Sequence, residues 1–174
     1  MTDFGRDVDI GAVIPDMTSR QYSRAITQLV GSGAGEAVNL CRVSGAVKVL
    51  SLHGVFTSVT DVSAVTAAYL DLYDDDAKTI TGVAGTDLSG VSVGSVIGKN
   101  GIKTALLALW DSADGVVVDG VEGTDWMAPF IVVPQAGTDT YIRFVFASDS
   151  GGYNFTIQWE IVWQPLFSGG SLIP

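Results

Sequence analysis

"GGYNFTIQWEIVWQPL", residues 151–166, alternates large apolar side chains with smaller or polar ones at a period of two. Such alternation predicts a β-strand with one buried face, because successive side chains of a strand point to opposite faces. The predicted buried face carries two isoleucines and four aromatic residues. We call these aromatic residues the aromatic row, which consists of Tyr153, Phe155, Trp159 and Trp163.

The length of this segment indicates two roles for the aromatic row. At about 3.3 Å per residue, a straight strand over 153–164 is ~40 Å long, and a domain of this size is also roughly 40 Å across. The row is therefore expected either to form the spine of the core or to protrude at one end against a neighbouring subunit. Residues 141–147 alternate in the same way before a Gly-containing loop, which predicts a hairpin with 153–164.

The rest of the chain repeats the same short, glycine-punctuated pattern. "AVTAAYLDLYD" (64–74) alternates at period two, and "VNLCRV" (38–43), "AVKVLSLHGVF" (46–56) and "PFIVVP" (129–134) are β-branched or aliphatic runs. Many short strands separated by turn signals are typical of all-β domains. The sequence therefore predicts an antiparallel β-sandwich or a jelly-roll-like barrel.

Residues 18–30, "TSRQYSRAITQLV", fit two structures. As a short helix they place apolar residues on one side, Thr18 and Gln21 imitate a capping box, and Gly31 follows as a stop signal. As a strand they present Tyr22, Ile26 and Val30 on one face. Periodicity leaves both structures open.

Charge divides the chain into two parts. Residues 1–48 hold five bases and five acids, whereas 49–174 hold four bases and fourteen acids. Together with the glycines at 31, 33 and 35, this predicts an N-terminal docking arm over 1–35 and a β-sandwich domain over 36–174. The arm residues expected to contact a partner are Phe4, Arg6, Ile10, Ile14, Arg20, Tyr22 and Arg24.

Composition excludes several classes of protein. The 174 residues carry a net charge of −10, which argues against nucleic-acid binding because phosphate contacts need clustered Lys and Arg. The longest apolar runs are too short for a membrane-spanning helix, and no secretory signal is visible. A single cysteine rules out an intramolecular disulfide. We expect a protein made in a cytoplasm, with no membrane partner.

Motifs that resemble catalytic or metal sites are incomplete. "GVSVG" (90–94) matches a nucleophile elbow around Ser92, but the one histidine, His53, lies upstream in an apolar run. The acids at 74–76 and 111–125 do not have the spacing of a known calcium loop, although a calcium site there stays open. We therefore expect no enzyme activity and no cofactor.

Three segments together resemble small β-rich virion proteins of tailed bacteriophages, including head decoration, head fibre and tail-fibre-like proteins. They are "LCRVSGAVKVLSLHGVFTSV" (40–59), "DLYDDDAKTITGVAGTDLSGVSVGSVIGK" (71–99) and "YIRFVFASDSGGYNFTIQWEIVWQPLFSGGSLI" (141–173). The resembling motifs are strands and turns without a catalytic signature. The resemblance implies a structural protein that assembles on a virion, often as a homotrimer.

The resemblance and the composition lead to one expected function and two alternatives. The expected function is a capsid decoration, or cement, protein on the outer surface of the head, made in the host cytoplasm and bound to the major capsid protein. One alternative is a tail- or fibre-associated adaptor or receptor-binding protein. The other is a hydrolytic enzyme such as a depolymerase, which the missing acid–base residues disfavour.

Overall fold

The computed structural model describes residues 20–81, 84–99, 108–110, 129–149 and 151–174, with 108–110 described by their backbone alone. These residues form β-strands, turns and loops, and no helix occurs among them. The part of the chain that is described also lacks a helix long and apolar enough to cross a membrane. All strand pairs are antiparallel, so the predicted all-β antiparallel sandwich is confirmed.

Eleven strands are described, and they fall into two sheets. They are β1 (Gln21–Ser32), β2 (Gly35–Ser44), β3 (Val47–Asp61), β4 (Val65–Tyr73), β5 (Ala77–Thr79), β6 (Val96–Gly98), β7 (Ala108–Trp110), β8 (Phe130–Val132), β9 (Thr140–Ser148), β10 (Gly152–Pro165) and β11 (Ser171–Ile173). Sheet A has the order β1-β10-β3-β6-β7, with β8 also paired to β3. Sheet B has the order β11-β2-β9-β4-β5.

The chain crosses between the sheets after most of the long strands. Strand β9 pairs with β2 and β4 in sheet B, whereas β10 pairs with β1 and β3 in sheet A. The hairpin predicted between 141–147 and 153–164 is therefore wrong, and the loop between them carries the chain from one sheet to the other. Each strand has one apolar face, and placing them in opposite sheets lets those faces bury each other.

Aromatic contacts between the two sheets form the centre of the core. The ring of Phe144 on β9 lies 5.2 Å from that of Trp159 on β10. The centre of the Phe146 ring lies 5.0 Å from that of Tyr153 and 5.6 Å from that of Phe155, and both pairs of rings are nearly edge to face. These are favoured aromatic geometries, and each ring buries a large apolar area. The four rings of the aromatic row are at most 7% exposed.

The ambiguous segment 18–30 is a strand where it is described, and a helix there is wrong. Residues 21–32 form β1, which pairs with β10 in an uninterrupted register from Gln21 opposite Trp163 to Ser32 opposite Gly152. Leu29 on β1 belongs to the buried core. Pairing with the strand that bears the aromatic row outweighs the local helix signals. The boundary at 35 between arm and domain is corrected accordingly, because 21–32 belong to the sandwich.

Gly54 on β3 provides the space that Trp159 occupies. It lies opposite Trp159 in the register of β3 and β10. A Cβ atom at position 54 would lie 2.6 Å from Ile157 Cγ2 and 2.8 Å from Trp159 Cε3. Since both neighbours are fully buried, they cannot move aside without disturbing the core.

We expect Gly54→Ala to lower the free energy of unfolding by about 1–3 kcal/mol through overpacking. Gly152→Ala is the matched control, because a Cβ there would meet its nearest atom, the Gly31 carbonyl oxygen, at 3.6 Å. Urea unfolding of the two variants measures the difference. Equal unfolding free energies would show that Gly54 does not create room for Trp159.

Candidate interaction surface

Buried hydroxyl groups on β1 accept hydrogen bonds from both tryptophan N–H groups of the aromatic row. Trp159 Nε1 donates to Thr27 Oγ1 at 3.0 Å, and Trp163 Nε1 donates to Ser23 Oγ at 2.9 Å. The hydroxyls in turn donate to backbone carbonyls, Thr27 to Ile157 at 3.5 Å and Ser23 to Leu172 at 3.0 Å. The inner face of β1 is therefore chemically matched to the tryptophans of β10.

The third polar tip of the aromatic row, the Tyr153 hydroxyl, donates to a carboxylate oxygen of Glu36 on β2. This hydrogen bond, together with burial, raises the pKa of Tyr153 to about 12. It joins the start of β10 in sheet A to the start of β2 in sheet B. The row is thus fixed to neighbouring strands at both of its ends.

The outer face of β1 has a different character. Tyr22, Ile26 and Val30 point away from the core and are 63%, 72% and 61% exposed. We call these three residues the β1 row. Arg24, which lies between Tyr22 and Ile26, forms an exposed ion pair with Glu160 at 3.3 Å. Such a pair contributes little to stability, so the arginine is available to a partner as well.

The residues predicted from sequence to interact are placed as follows. The whole aromatic row is buried within the described chain, as expected for the spine of the core, and its contact with another subunit stays a prediction. Of the docking-arm residues, Arg20, Tyr22 and Arg24 are exposed. The others, Phe4, Arg6, Ile10 and Ile14, lie outside the described residues.

Sheet B carries a polar and aromatic cluster on its outer face that the sequence did not reveal as a pair. Arg143 on β9 binds Asp71 on β4 in a two-pronged ion pair, with Nε–Oδ1 at 2.9 Å and Nη2–Oδ2 at 2.6 Å. The hydrogen bond to Asp71 raises the pKa of Arg143. The guanidinium also lies 3.8 Å from the centre of the Tyr73 ring, within the range of cation–π attraction.

The signal for this cluster was present in the alternation of "YLDLY". Asp71 shares the outer face of β4 with Tyr69 and Tyr73, and Arg143 occupies the outward position of β9 directly opposite Asp71. The pair can be recognised only once the register of β4 against β9 is known. The sequence alone does not give that register, because the two strands lie about seventy residues apart in the chain. The pair is nearly buried, with Asp71 1% exposed, so it also fixes that register.

Cys41 is a buried thiol beside a bulge in β2. The register of β2 against β9 shifts between Asn39 and Cys41, and Cys41 is 2% exposed. Burial raises the pKa of the Cys41 thiol to about 12. The bulge borders an open, mostly apolar cavity of about 330 Å³ that is lined by Asn39, Leu40, Cys41, Arg42, Tyr141, Ile173 and Pro174.

The residues of the incomplete catalytic and metal-binding motifs lie at several places in the fold. Ser92 is exposed in a turn and its backbone N–H donates to Ser95 Oγ at 3.3 Å. His53 lies on the outer face of sheet A opposite Glu160, and burial lowers its pKa despite that carboxylate. Asp74 is buried and paired with Lys78, and within the described ranges no three His, Cys, Asp or Glu side chains are grouped to hold a metal ion. The acids at 111–125 lie outside those ranges.

Comparisons of this chain with protein-family models, with curated proteins and with solved structures found no match.

We expect Thr27→Val to lower the free energy of unfolding by about 1–3 kcal/mol, because it leaves the buried N–H of Trp159 without an acceptor while preserving side-chain volume. Thr57→Val is the matched control, since Thr57 is exposed and its hydroxyl makes one weak bond to the Thr156 carbonyl at 3.4 Å. Urea unfolding followed by tryptophan fluorescence measures both. A Thr27→Val protein as stable as Thr57→Val would contradict the proposed match between β1 and the tryptophans.

The raised pKa of Cys41 predicts a loss of stability at alkaline pH. The unfolded thiol ionises near pH 9 and the folded thiol near 12. As pH rises between these values, the Cys41 thiol loses its proton first in the unfolded state. The contribution of this thiol to the free energy of unfolding is therefore constant below pH 9 and falls above it, by at most about 1.4 kcal/mol per pH unit. We expect Cys41→Ala to flatten this decline in urea unfolding measured from pH 8 to 11. If the free energy of unfolding fell equally with pH in the wild-type and Cys41→Ala proteins, the raised pKa of Cys41 would be refuted as the cause of the decline.

Proposed function

We propose that this chain is a structural protein that works by docking on a larger protein assembly, specifically a capsid decoration protein on the head of a tailed bacteriophage. Its partner is the major capsid protein, and its docking surface is the outer face of β1. The rest of the sandwich faces solvent. The observation that carries the proposal is the exposed, apolar β1 row on a strand free of acidic residues.

Charge supports the use of this face. The chain as a whole has a net charge of −10, yet residues 20–32 contain two arginines and no acidic residue. A surface with exposed apolar residues beside arginines has the composition of a protein interface, where Arg and aromatic residues are enriched. The acidic remainder keeps the protein soluble and away from nucleic acid.

The rigidity of β1 also supports docking through its outer face. The hydroxyl bonds from Thr27 and Ser23 to the tryptophans hold β1 against β10 along its length. The β1 row is therefore presented on a fixed strand, so little conformational entropy is lost when it binds. Many copies engaging one shell at once would strengthen modest individual contacts.

The resemblance of 40–59, 71–99 and 141–173 to virion proteins supplies the biological setting of the proposal. These segments contain all of β5, β6, β10 and β11, nearly all of β3 and β9, and part of β2 and β4. The resembling residues are thus mainly core strands and their turns. The docking strand β1 lies outside the three resembling segments, so the residues of β1 would determine which partner the protein binds.

A second candidate, a tail- or fibre-associated adaptor or receptor-binding protein, is favoured by the outer face of sheet B. Tyr73 and Tyr141 lie opposite each other there, and Tyr69 shares the face beside the Asp71–Arg143 pair. Half-buried tyrosines next to fixed polar groups can bind flat, hydroxyl-rich ligands such as sugars. This face would serve a receptor rather than a capsid.

Binding to particles made without this chain tests the proposal. We expect the full-length protein to co-sediment with such heads at on the order of hundreds of copies per particle, against a few dozen for a symmetric tail component. Tyr22→Ser should lower the affinity about tenfold or more, as loss of an interface aromatic does. Phe167→Ser is the matched control, because Phe167 is 68% exposed in the turn before β11.

Three outcomes would count against capsid docking through β1. Absence of binding to heads would overturn the decoration proposal. Binding confined to tails would favour the second candidate. Equal affinities of the Tyr22→Ser and Phe167→Ser proteins would show that another surface docks.

A further inference from the structure

Strand edges expose unpaired backbone N–H and C=O groups, and proteins usually protect them by shortness, bulges, proline or charge. Within the described residues, β5, β7, β8 and β11 are three residues each. Strand β2, where it extends beyond β11, carries a bulge between Asn39 and Cys41 and the exposed Glu36. These edges are all protected in one of those ways.

Among the residues that the structure describes, the edge of sheet A formed by β1 lacks such protection. It is twelve residues long, contains no proline, and keeps an unbroken register against β10. By contrast, β10 and β3 shift register at three places. Arg24 is the one charged residue of β1, and it points out of the sheet rather than along its edge. A long, regular, apolar edge of this kind is a template for another strand.

We infer that the occupant of this edge is β1 of a second copy of this chain, paired antiparallel across a two-fold axis that passes through Ile26. The two copies of sheet A would then form one continuous sheet with their outer faces on the same side. This inference rests on the geometry of β1 and holds whether or not the protein decorates a capsid.

The outward side chains of β1 are self-complementary in this register. Tyr22 lies opposite the partner's Val30, Arg24 lies opposite the partner's Gln28, and Ile26 lies opposite the partner's Ile26. Apolar residues therefore meet apolar residues, and each arginine meets a neutral amide. Opposed apolar pairs on antiparallel strands stabilise a sheet, whereas opposed like charges destabilise it.

Other symmetric registers lack this match. Moving the axis by one residue places apolar side chains opposite Arg24 or Gln28. Moving it two residues towards the N-terminus sets Arg24 against the partner's Arg24, and moving it two residues the other way leaves Tyr22 beyond the end of the partner strand. The axis through Ile26 also pairs eleven of the twelve residues of β1. The sequence of the strand thus selects one register.

Charge also favours a second copy at this edge, because β1 is an edge strand of the described residues that contains no acidic residue. Two chains of net charge −10 repel each other, and residues 20–32 are a stretch without acidic residues where the two bodies can meet. The segment before residue 20 is a poorer occupant, because it contains Pro15, which cannot donate to a ladder, and four aspartates. Pairing through the backbone edge leaves the β1 row open on one face, so the dimer presents two adjacent rows.

Sedimentation of the full chain at micromolar concentration tests the inference. We expect a mass about twice the 18.2 kDa of the chain. Ile26→Lys places two ammonium groups together on the axis and should raise the dimer dissociation constant about tenfold or more. Ile131→Lys is the matched control, because Ile131 is 61% exposed on the same face of sheet A, on β8 rather than at the β1 edge. Unchanged melting temperatures would show that both variants fold.

Disulfide trapping tests the register independently. Opposed residues in antiparallel strands have Cα atoms about 4.5–5.5 Å apart, within reach of a disulfide, so oxidised Ile26→Cys should run as a covalent dimer that a thiol reductant separates. Gln28→Cys is the control, since the substituted positions of the two copies would lie ~13 Å apart, four residues along the strand. Native Cys41 is buried and should not interfere.

An 18.2 kDa monomer in sedimentation would overturn the inference. So would a trimer, which the resemblance to virion proteins implies, because three copies in a ring cannot pair β1 with β1 across a two-fold axis. Cross-linking of Gln28→Cys as readily as Ile26→Cys would also overturn it, because the axis would then not pass through Ile26.

Discussion

The hydrogen bonds from Trp159 and Trp163 to the hydroxyls of Thr27 and Ser23 are the interaction on which the rest of the structure depends. Two large indoles fill the centre of the sandwich, and each brings a polar N–H into the buried core. Leaving such a donor unpaired costs more than the bond itself contributes. The fold meets this constraint with two small hydroxyl residues on a single strand, which obliges β1 to lie beside β10 in one register.

This constraint explains the unusual division of β1 into two faces. Its inner face contains Ser23 and Thr27, which look like surface residues but are 5% exposed. Its outer face contains Tyr22, Ile26 and Val30, which look like core residues but lie in solvent. An arrangement in which two hydroxyl residues point inward and three large apolar residues point outward is costly for an isolated domain. It becomes understandable if the inner face serves the tryptophans and the outer face serves a partner.

The same inversion shows why sequence reasoning succeeded in some places and failed in others. The alternation of 153–164 predicted a strand with a buried aromatic face, because in β10 hydrophobicity and burial coincide. The segment 18–30 resisted assignment because two of its three buried positions within the described residues, Ser23 and Thr27, are hydroxyls. Their role is set by indoles more than a hundred residues away. The supposed hairpin of β9 and β10 failed for a related reason. Alternation shows which face of a strand is apolar, but not whether its neighbour in the chain lies beside it or across the core.

The separation between β1 and β10 has a consequence for synthesis of the chain. The bond between Thr27 and Ile157 joins residues 130 positions apart, so β1 leaves the ribosome long before the strand that completes it. At about 5–20 residues per second, this delay is on the order of ten seconds. During that time the strand is exposed on both edges, and neighbouring nascent chains on one messenger offer the same sequence. A chaperone that covers β1 during this interval would keep such nascent chains apart.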